Sequence, residues 1–205
     1  MRTLGSFRLG EVLEELDGHG NVTKSEVTKA HVDSDGKSPH ETVEACTRNG
    51  KDATAEKQEN VRRDEGGTGD ERDRLIAESL RLPFLRAKLP LYAFDVRKTD
   101  PLDASRVEIA FVPRAPDEHS VEGAAWVDTR SGTVLSIGAK MSKPPRFVDW
   151  VNFTVEFGAT TPIGPAISRL TLEAKGGLLF VHRHVRAELK MMDYRLVGPA
   201  RSAGF

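Results

Sequence analysis

The stretch from Phe147 to Phe157 constrains this chain more than any other part of it. It reads Phe-Val-Asp-Trp-Val-Asn-Phe-Thr-Val-Glu-Phe. Phe147, Val151, Phe153, Val155 and Phe157 share one parity, with Asp149 as the exception, and Val148, Trp150, Asn152, Thr154 and Glu156 share the other. Strand side chains point alternately to two faces, so this is a strand with one apolar and one mixed face, as antiparallel sheets have. Something must cover the apolar face: the protein's own core, a helix or a ligand.

The surrounding segments have the same character. Tyr92-Ala93-Phe94-Asp95-Val96 and Arg106-Val107-Glu108-Ile109-Ala110-Phe111 alternate. Ala124 to Asp128 and Thr133 to Ile137 flank Thr129-Arg130-Ser131-Gly132, a hairpin with its glycine late in the loop. Ile163-Gly164-Pro165 marks a further turn, and Ala166 to Ala174 and Leu178 to Val197 are expected to form a last hairpin joined across Lys175-Gly176-Gly177. The final strand is long and is expected to bend or break near Met191-Met192. Upstream, Glu11–Leu16, Val22–Val32 and Thr42–Thr47 read as a meander closed by Asp17–Asn21, Asp35-Gly36-Lys37 and Asn49-Gly50. Few of its apolar residues are large, which places it at a sheet edge or half in water.

Two helical pieces interrupt the strands. Residues 52–65 have helical composition but are nearly all polar, and we expect them to be exposed or mobile. After the break at Gly66-Gly67-Thr68-Gly69, Asp70 stands where an N-cap belongs. Leu75, Ile76, Ser79, Leu80 and Leu82 make a narrow apolar stripe before Pro83 ends the helix. Leu75, Ile76 and Leu80 are thus the expected inner surface of a lid. A length of 205 residues fits a single domain over residues 1–205. Its parts would be N-terminal strands over 8–50, a helical insertion over 51–90, C-terminal strands over 91–197 and a tail over 198–205.

Charge and composition exclude several function classes. Residues 1–80 carry 12 Lys+Arg against 18 Asp+Glu and residues 81–205 carry 18 against 13, so neither half is basic enough for a nucleic-acid footprint. Cys46, the only cysteine, rules out an internal disulfide and is expected to pack as a small hydrophobe in its strand. The start Met1-Arg2-Thr3-Leu4-Gly5-Ser6-Phe7-Arg8 has no apolar run of export type, and no stretch approaches the ~20 apolar residues of a membrane helix. No nucleophile elbow, zinc-protease helix, Walker loop or dinucleotide fingerprint is present. We therefore expect no catalytic residues and no cofactor. His182 and His184 share one strand face, as zinc ligands can, but Arg183, Arg186 and Lys190 surround them and no third ligand suggests itself. A solvated outer face without metal is the expectation.

The order of landmarks resembles a family. Gly123-Ala124-Ala125-Trp126-Val127-Asp128-Thr129-Arg130-Ser131-Gly132-Thr133-Val134-Leu135 is similar to a hairpin of the LolA/LolB-like periplasmic lipoprotein-sorting proteins and their relatives. Glu14–Val22, Val32–Lys37, Asn49-Gly50-Lys51 and Met192-Asp193-Tyr194-Arg195 resemble further turns and the closing strand of that family. The resemblance implies an α+β fold, an open, unclosed antiparallel β-barrel with a helical lid. It also implies a place in the periplasm or cell envelope and lipid or acylated lipoprotein as partner. Ser136 departs from it, standing near where the family pattern often carries arginine, and so does the polarity of 52–65.

The apolar face is the functional candidate that survives. In conventional register it holds Leu135, Ile137, Met141, Val151, Phe153, Val155, Phe157, Leu170, Leu172, Leu179, Val181, Val185 and Leu189. The stripe on 70–82 is too narrow to cover a sheet of around ten strands, and large uncovered apolar area marks an interaction site. Two functions follow: non-catalytic binding of a hydrophobic moiety, or an envelope scaffold with a self-filled core that docks a protein partner along a sheet edge.

Overall fold

The computed structural model describes residues 3–34, 39–65, 83–84, 86–161, 164–178 and 181–197. The chain runs β1 (Thr3–Leu16), β2 (Val22–Ser34), β3 (Pro39–Arg48), β4 (Lys51–Asp52) and α1 (Thr54–Glu65). It continues with β5 (Tyr92–Thr99), β6 (Arg106–Pro113), β7 (Val121–Asp128), β8 (Thr133–Met141) and β9 (Val148–Glu156). A small hairpin, β10 (Ala159–Thr161) and β11 (Gly164–Ala166), precedes β12 (Arg169–Leu178) and β13 (Val181–Val197). Eleven strands form one antiparallel sheet in the order β4-β3-β2-β1-β13-β12-β9-β8-β7-β6-β5. The sheet is not closed, since β4 and β5 are its two ends. Among the described residues α1 is the one α-helix. The lid helix expected over 70–82, with Leu75, Ile76 and Leu80, lies outside the described residues, as do the Asp35-Gly36-Lys37 turn and Leu179.

Residues directly opposite in antiparallel strands share a face. One cross-strand row therefore reads the inner face from end to end: Cys46, Thr28, Glu11, Leu189, Leu170, Val155, Ile137, Ala125, Ile109 and Val96. The alternation in the sequence predicts its C-terminal part. Its first part holds small and polar groups, with the carboxylate of Glu11 in the middle.

The buried core sits under β5–β9. Tyr92, Phe111, Val121, Ala125, Ile137, Ala139 and Phe153 form it, with Phe84, Val127, Val134, Val155, Phe157 and Leu172 packed against them. Phe84 closes edge-on over Phe111 at 5.6 Å between centroids, and Tyr92 does the same at 6.1 Å. The N–H of Val121 donates to the Tyr92 hydroxyl at 3.3 Å, so the one polar group of this cluster is satisfied.

Four local features differ from the sequence expectation, each for a physical reason. The first strand starts at Thr3 rather than near residue 8, and lies inside the sheet because β13 pairs along nearly all of it. Asp149 breaks the parity of 147–157 because it is an extra residue: Trp150 faces Lys175 and Val148 faces Gly176, a bulge. A second bulge falls in β8, where Ser136 faces Trp126 and Val134 faces Val127. Val134 thus packs against the core where Leu135 was expected. Finally, Lys175-Gly176-Gly177 is not the last turn. These residues are paired in strand with His184, Arg183 and His182, and the ladder continues to Leu178 and Val181. Glycine is needed there for closeness: a Cβ on Gly176 would run into the carbonyl oxygen of Phe147 and the Cα of Val148. The last strand runs unbroken to Val197, and the irregularity expected near Met191-Met192 takes the form of a register slip against β1 between Met192 and Arg195, with Asp193 at φ +57°.

Candidate functional site

The predicted apolar residues divide between the buried core and a half-buried stretch of the inner face beside it. Ile137 and Phe153 belong to the buried core, and Val155, Phe157 and Leu172 pack against it. Met141 faces Val121 at the end of β8 and is half-buried. Leu170 and Leu189 pair with each other, and Val185 pairs with Ala174, which in turn pairs with Val151. All five are half-buried. Val181 opens β13 opposite Leu178.

Beyond the core, β9, β12 and β13 border an open hollow of about 410 Å³. Val148, Val151, Ala174 and Val185 contribute apolar wall, Gly176 and Gly177 backbone, and Phe147 and Arg183 complete it with Lys175. Of these, the site expected from the sequence held only Val151 and Val185. Phe147 stands just before its strand with φ +74°, an outlier for an aromatic residue. Its carbonyl accepts the Gly177 N–H at 2.9 Å. Its ring is 51% exposed and lies 4.9 Å from the Arg146 guanidinium. The Gly-Gly pair inside an alternating strand is the signal that could have located this contact, because such glycines mark a close approach of another backbone.

At the other end the inner face is covered by α1, a segment whose polarity predicts exposure or mobility. The helix is docked, and through polar groups. Asp52 accepts from the Thr54 N–H and hydroxyl at 2.9 and 2.7 Å at its start. The Gln58 side chain accepts the Val43 N–H at 2.7 Å, and Thr54 accepts the Cys46 N–H at 2.9 Å. Lys57 reaches between Glu26 at 2.8 Å and Glu11 at 3.4 Å, and Arg48 joins Glu26 and Glu56, both at 2.9 Å. Burial pushes the Glu26 carboxyl up, but the hydrogen bonds and charges of Lys57 and Arg48 outweigh it and hold the group below the usual carboxylate range. Burial pushes the Lys57 ammonium down, and Glu26 and Glu11 together raise it above its ordinary value. Beneath the helix Thr28, Ala30 and Cys46 are each 1% exposed, small residues that let its backbone come close. Cys46 is packed as a small hydrophobe, as expected, with the Thr28 hydroxyl donating to its Sγ at 3.6 Å.

His184 lies on the outer face, where it pairs across strands with Lys175 and Leu16. Its Nε2 is 2.7 Å from Glu173, and its ring meets Trp150 edge-on at 5.5 Å. Among the described residues no three His, Cys, Asp or Glu side chains cluster as metal ligands would.

No family model matches this chain, and no curated protein matches it either. Among solved structures, the crystal structure of MucB in complex with MucA(peri) is similar at 12% identity and a TM-score of 0.23, covering 91% of this chain and 88% of that one.

Proposed function

We propose that this is a non-catalytic binding protein that holds one apolar moiety, of the acyl-chain type, against the inner face at β9, β12 and β13. One observation carries the reading. The same sheet face is closed by an aromatic core over β5–β9 and by α1 over β1–β3, while between them the half-buried row around Val151, Ala174 and Val185 borders an open hollow. Burying hydrocarbon there yields about 0.8 kcal/mol per CH₂, enough for useful affinity without any chemistry. On the N-terminal part of the inner face, Glu11, Glu26 and Arg48 are engaged in holding α1. In this reading the sheet is the wall of an open barrel and the site of action is the cell envelope. The shape and location rest on the family resemblance of the hairpin around Trp126-Val127-Asp128 and are part of the proposal.

A second reading has its own observation. β5 ends the sheet, and its inner-face residues Phe94 and Val96 are 39% and 61% exposed. An edge of that kind can add a strand from a protein partner. Native mass spectrometry of freshly purified protein, alongside Val151→Asp, separates the two. A carried hydrophobic mass in the wild type that is lost in the folded variant supports the first. No carried mass, together with equal uptake of a neutral hydrophobic dye by both proteins, sinks it and leaves the edge reading.

A further inference from the structure

The hollow between β9, β12 and β13 is apolar along its wall and cationic at its rim. Val151, Ala174 and Val185 lie side by side on the inner face, one from each strand. Arg183 stands next on β13 in the same parity, opposite Gly176, where no side chain obstructs its approach to the hollow. Its guanidinium makes no hydrogen bond or close ion pair among the described residues. Glu15, an acid that feels its charge, is itself bound to Lys24 at 2.8 Å. Phe147, which lines the hollow, carries the Arg146 guanidinium 4.9 Å from the centroid of its exposed ring. No acidic side chain is among those that line the hollow.

Phe147 is held in this place against its own backbone preference. Gly176 makes room for its carbonyl and the Gly177 N–H binds it, so the ring is fixed at the rim with φ +74°. Backbone strain of this kind persists where surroundings over-determine it, and it gathers at ligand clamps. The volume, about 410 Å³, is near the lower end of the 300–1,000 Å³ of small-ligand pockets, which suits one chain rather than several.

We infer that the occupant is a single-chain carboxylate, a fatty acid. Its hydrocarbon runs along Val151, Ala174 and Val185, and its head group meets the Arg183 guanidinium, with Arg146 and Phe147 at the mouth. A guanidinium presents paired donors that match a carboxylate, which makes Arg183 the group that selects acid over neutral chain. This rests on the apolar-binding reading and adds head-group selectivity to it.

Displacement of a neutral naphthylamine dye by laurate and by dodecanol tests the inference on the full chain. Laurate is expected to compete about tenfold better at low salt, the worth of one charged hydrogen-bonded contact. That lead should shrink as salt approaches about 1 M, where screening is short-ranged. Arg183→Gln should bring laurate down to the level of dodecanol, while Arg183→Lys should keep part of the lead. Melting curves on each variant establish that it is folded. Equal competition by laurate and dodecanol in the wild type overturns the carboxylate assignment and leaves the apolar-binding reading in place. A lead that survives in folded Arg183→Gln and Arg146→Gln overturns the assignment to this rim. Failure of the dye and both chains to bind overturns the apolar-binding reading itself.

Discussion

The two ends of the inner face are covered by opposite means. Over β5–β9, large side chains fill the space, and Phe84, Tyr92 and Phe111 meet edge to face. Over β1–β3, the sheet presents Thr28, Ala30 and Cys46, and the helix above them is fastened by Lys57 and Arg48 to Glu11 and Glu26. A helix with no apolar stripe can therefore be a fixed part of a fold. It needs small residues beneath it, so that its backbone comes close, and countercharges placed on the sheet rather than on itself. The aromatic end gains from area removed from water, whereas the helical end gains from pairing groups that burial would otherwise penalise.

If this division is right, truncating the aromatic end has the largest effect. Phe111 is fully buried at the centre of the cluster, and Phe111→Ala should cost about 3–5 kcal/mol by chemical denaturation. A loss below about 1 kcal/mol would mean the cluster is not the main core. Gly123 tests the packing of the aromatic end directly. A Cβ on Gly123 would strike the carbonyl oxygen of Gly138 and the Cα of Ala139, while one on Gly10, which faces the outer side of β1, would meet nothing within 4 Å and serves as the unpacked control. Gly123→Ala should destabilise by about 2–3 kcal/mol, as overpacking does, and Gly10→Ala should stay within about 0.5 kcal/mol. Similar melting temperatures for the two variants would mean that the close approach at Gly123 yields without cost.

Lys57→Ala addresses the charged end. It leaves Glu11 and Glu26 facing each other, and we expect a loss of about 1–2 kcal/mol, reduced from the buried-pair value because water reaches part of the site. Combining it with Glu26→Gln should recover part of that loss. If the two losses simply add, Lys57 and Glu26 are not energetically coupled.

Acid acts on the same clamp with a smaller effect. A carboxyl held below its ordinary value, as Glu26 is, contributes fully above its unfolded value of about 4.3, and the contribution fades as pH falls through its lower folded value. Lys57, raised above its ordinary value, contributes fully below about 10.4 and loses this as pH rises through its higher folded value. Protection of the α1 amides, taken relative to the intrinsic exchange rate at each pH, should therefore fall below about pH 4, before protection in β6 and β7 does. Simultaneous loss of protection in both would show that helix and core open as one unit.

These contrasts also mark how far the sequence could be read. Alternation located β5 to β9, the Thr129–Gly132 turn and the apolar parity of Val151, Phe153 and Val155, because burial on one face leaves period-two patterns. It could not anticipate Leu135 and Asp149. A bulge shifts parity by one residue, and nothing in local composition announces it. Lys175-Gly176-Gly177 reads as a turn in the sequence, but its glycine makes room for the carbonyl of Phe147, a contact distant in sequence. The docking of α1 was invisible to hydrophobic patterning. A trace of it was legible in Glu11, the one acid flanked by Leu9 and Leu13 on the same strand face, for which a cationic partner had to exist. The hollow was half legible: Val151 and Val185 follow from parity, but Phe147, Arg183 and Gly176 come together only through the register of three strands.

The ladder between β1 and β13 has a consequence for how the molecule is made. Arg186 donates to Glu14 at 3.0 Å across 172 residues of chain. On the ribosome, the first hairpin emerges long before the strand that will flank it, so one edge of β1 waits with unpaired amides and carbonyls while the remaining strands are synthesised. Its Glu11, Glu14 and Glu15, which in the finished sheet meet Lys57, Arg186 and Lys24, keep that waiting edge charged and discourage like edges on neighbouring nascent chains from annealing. The acids that later hold the fold together thus serve first as a safeguard during its birth.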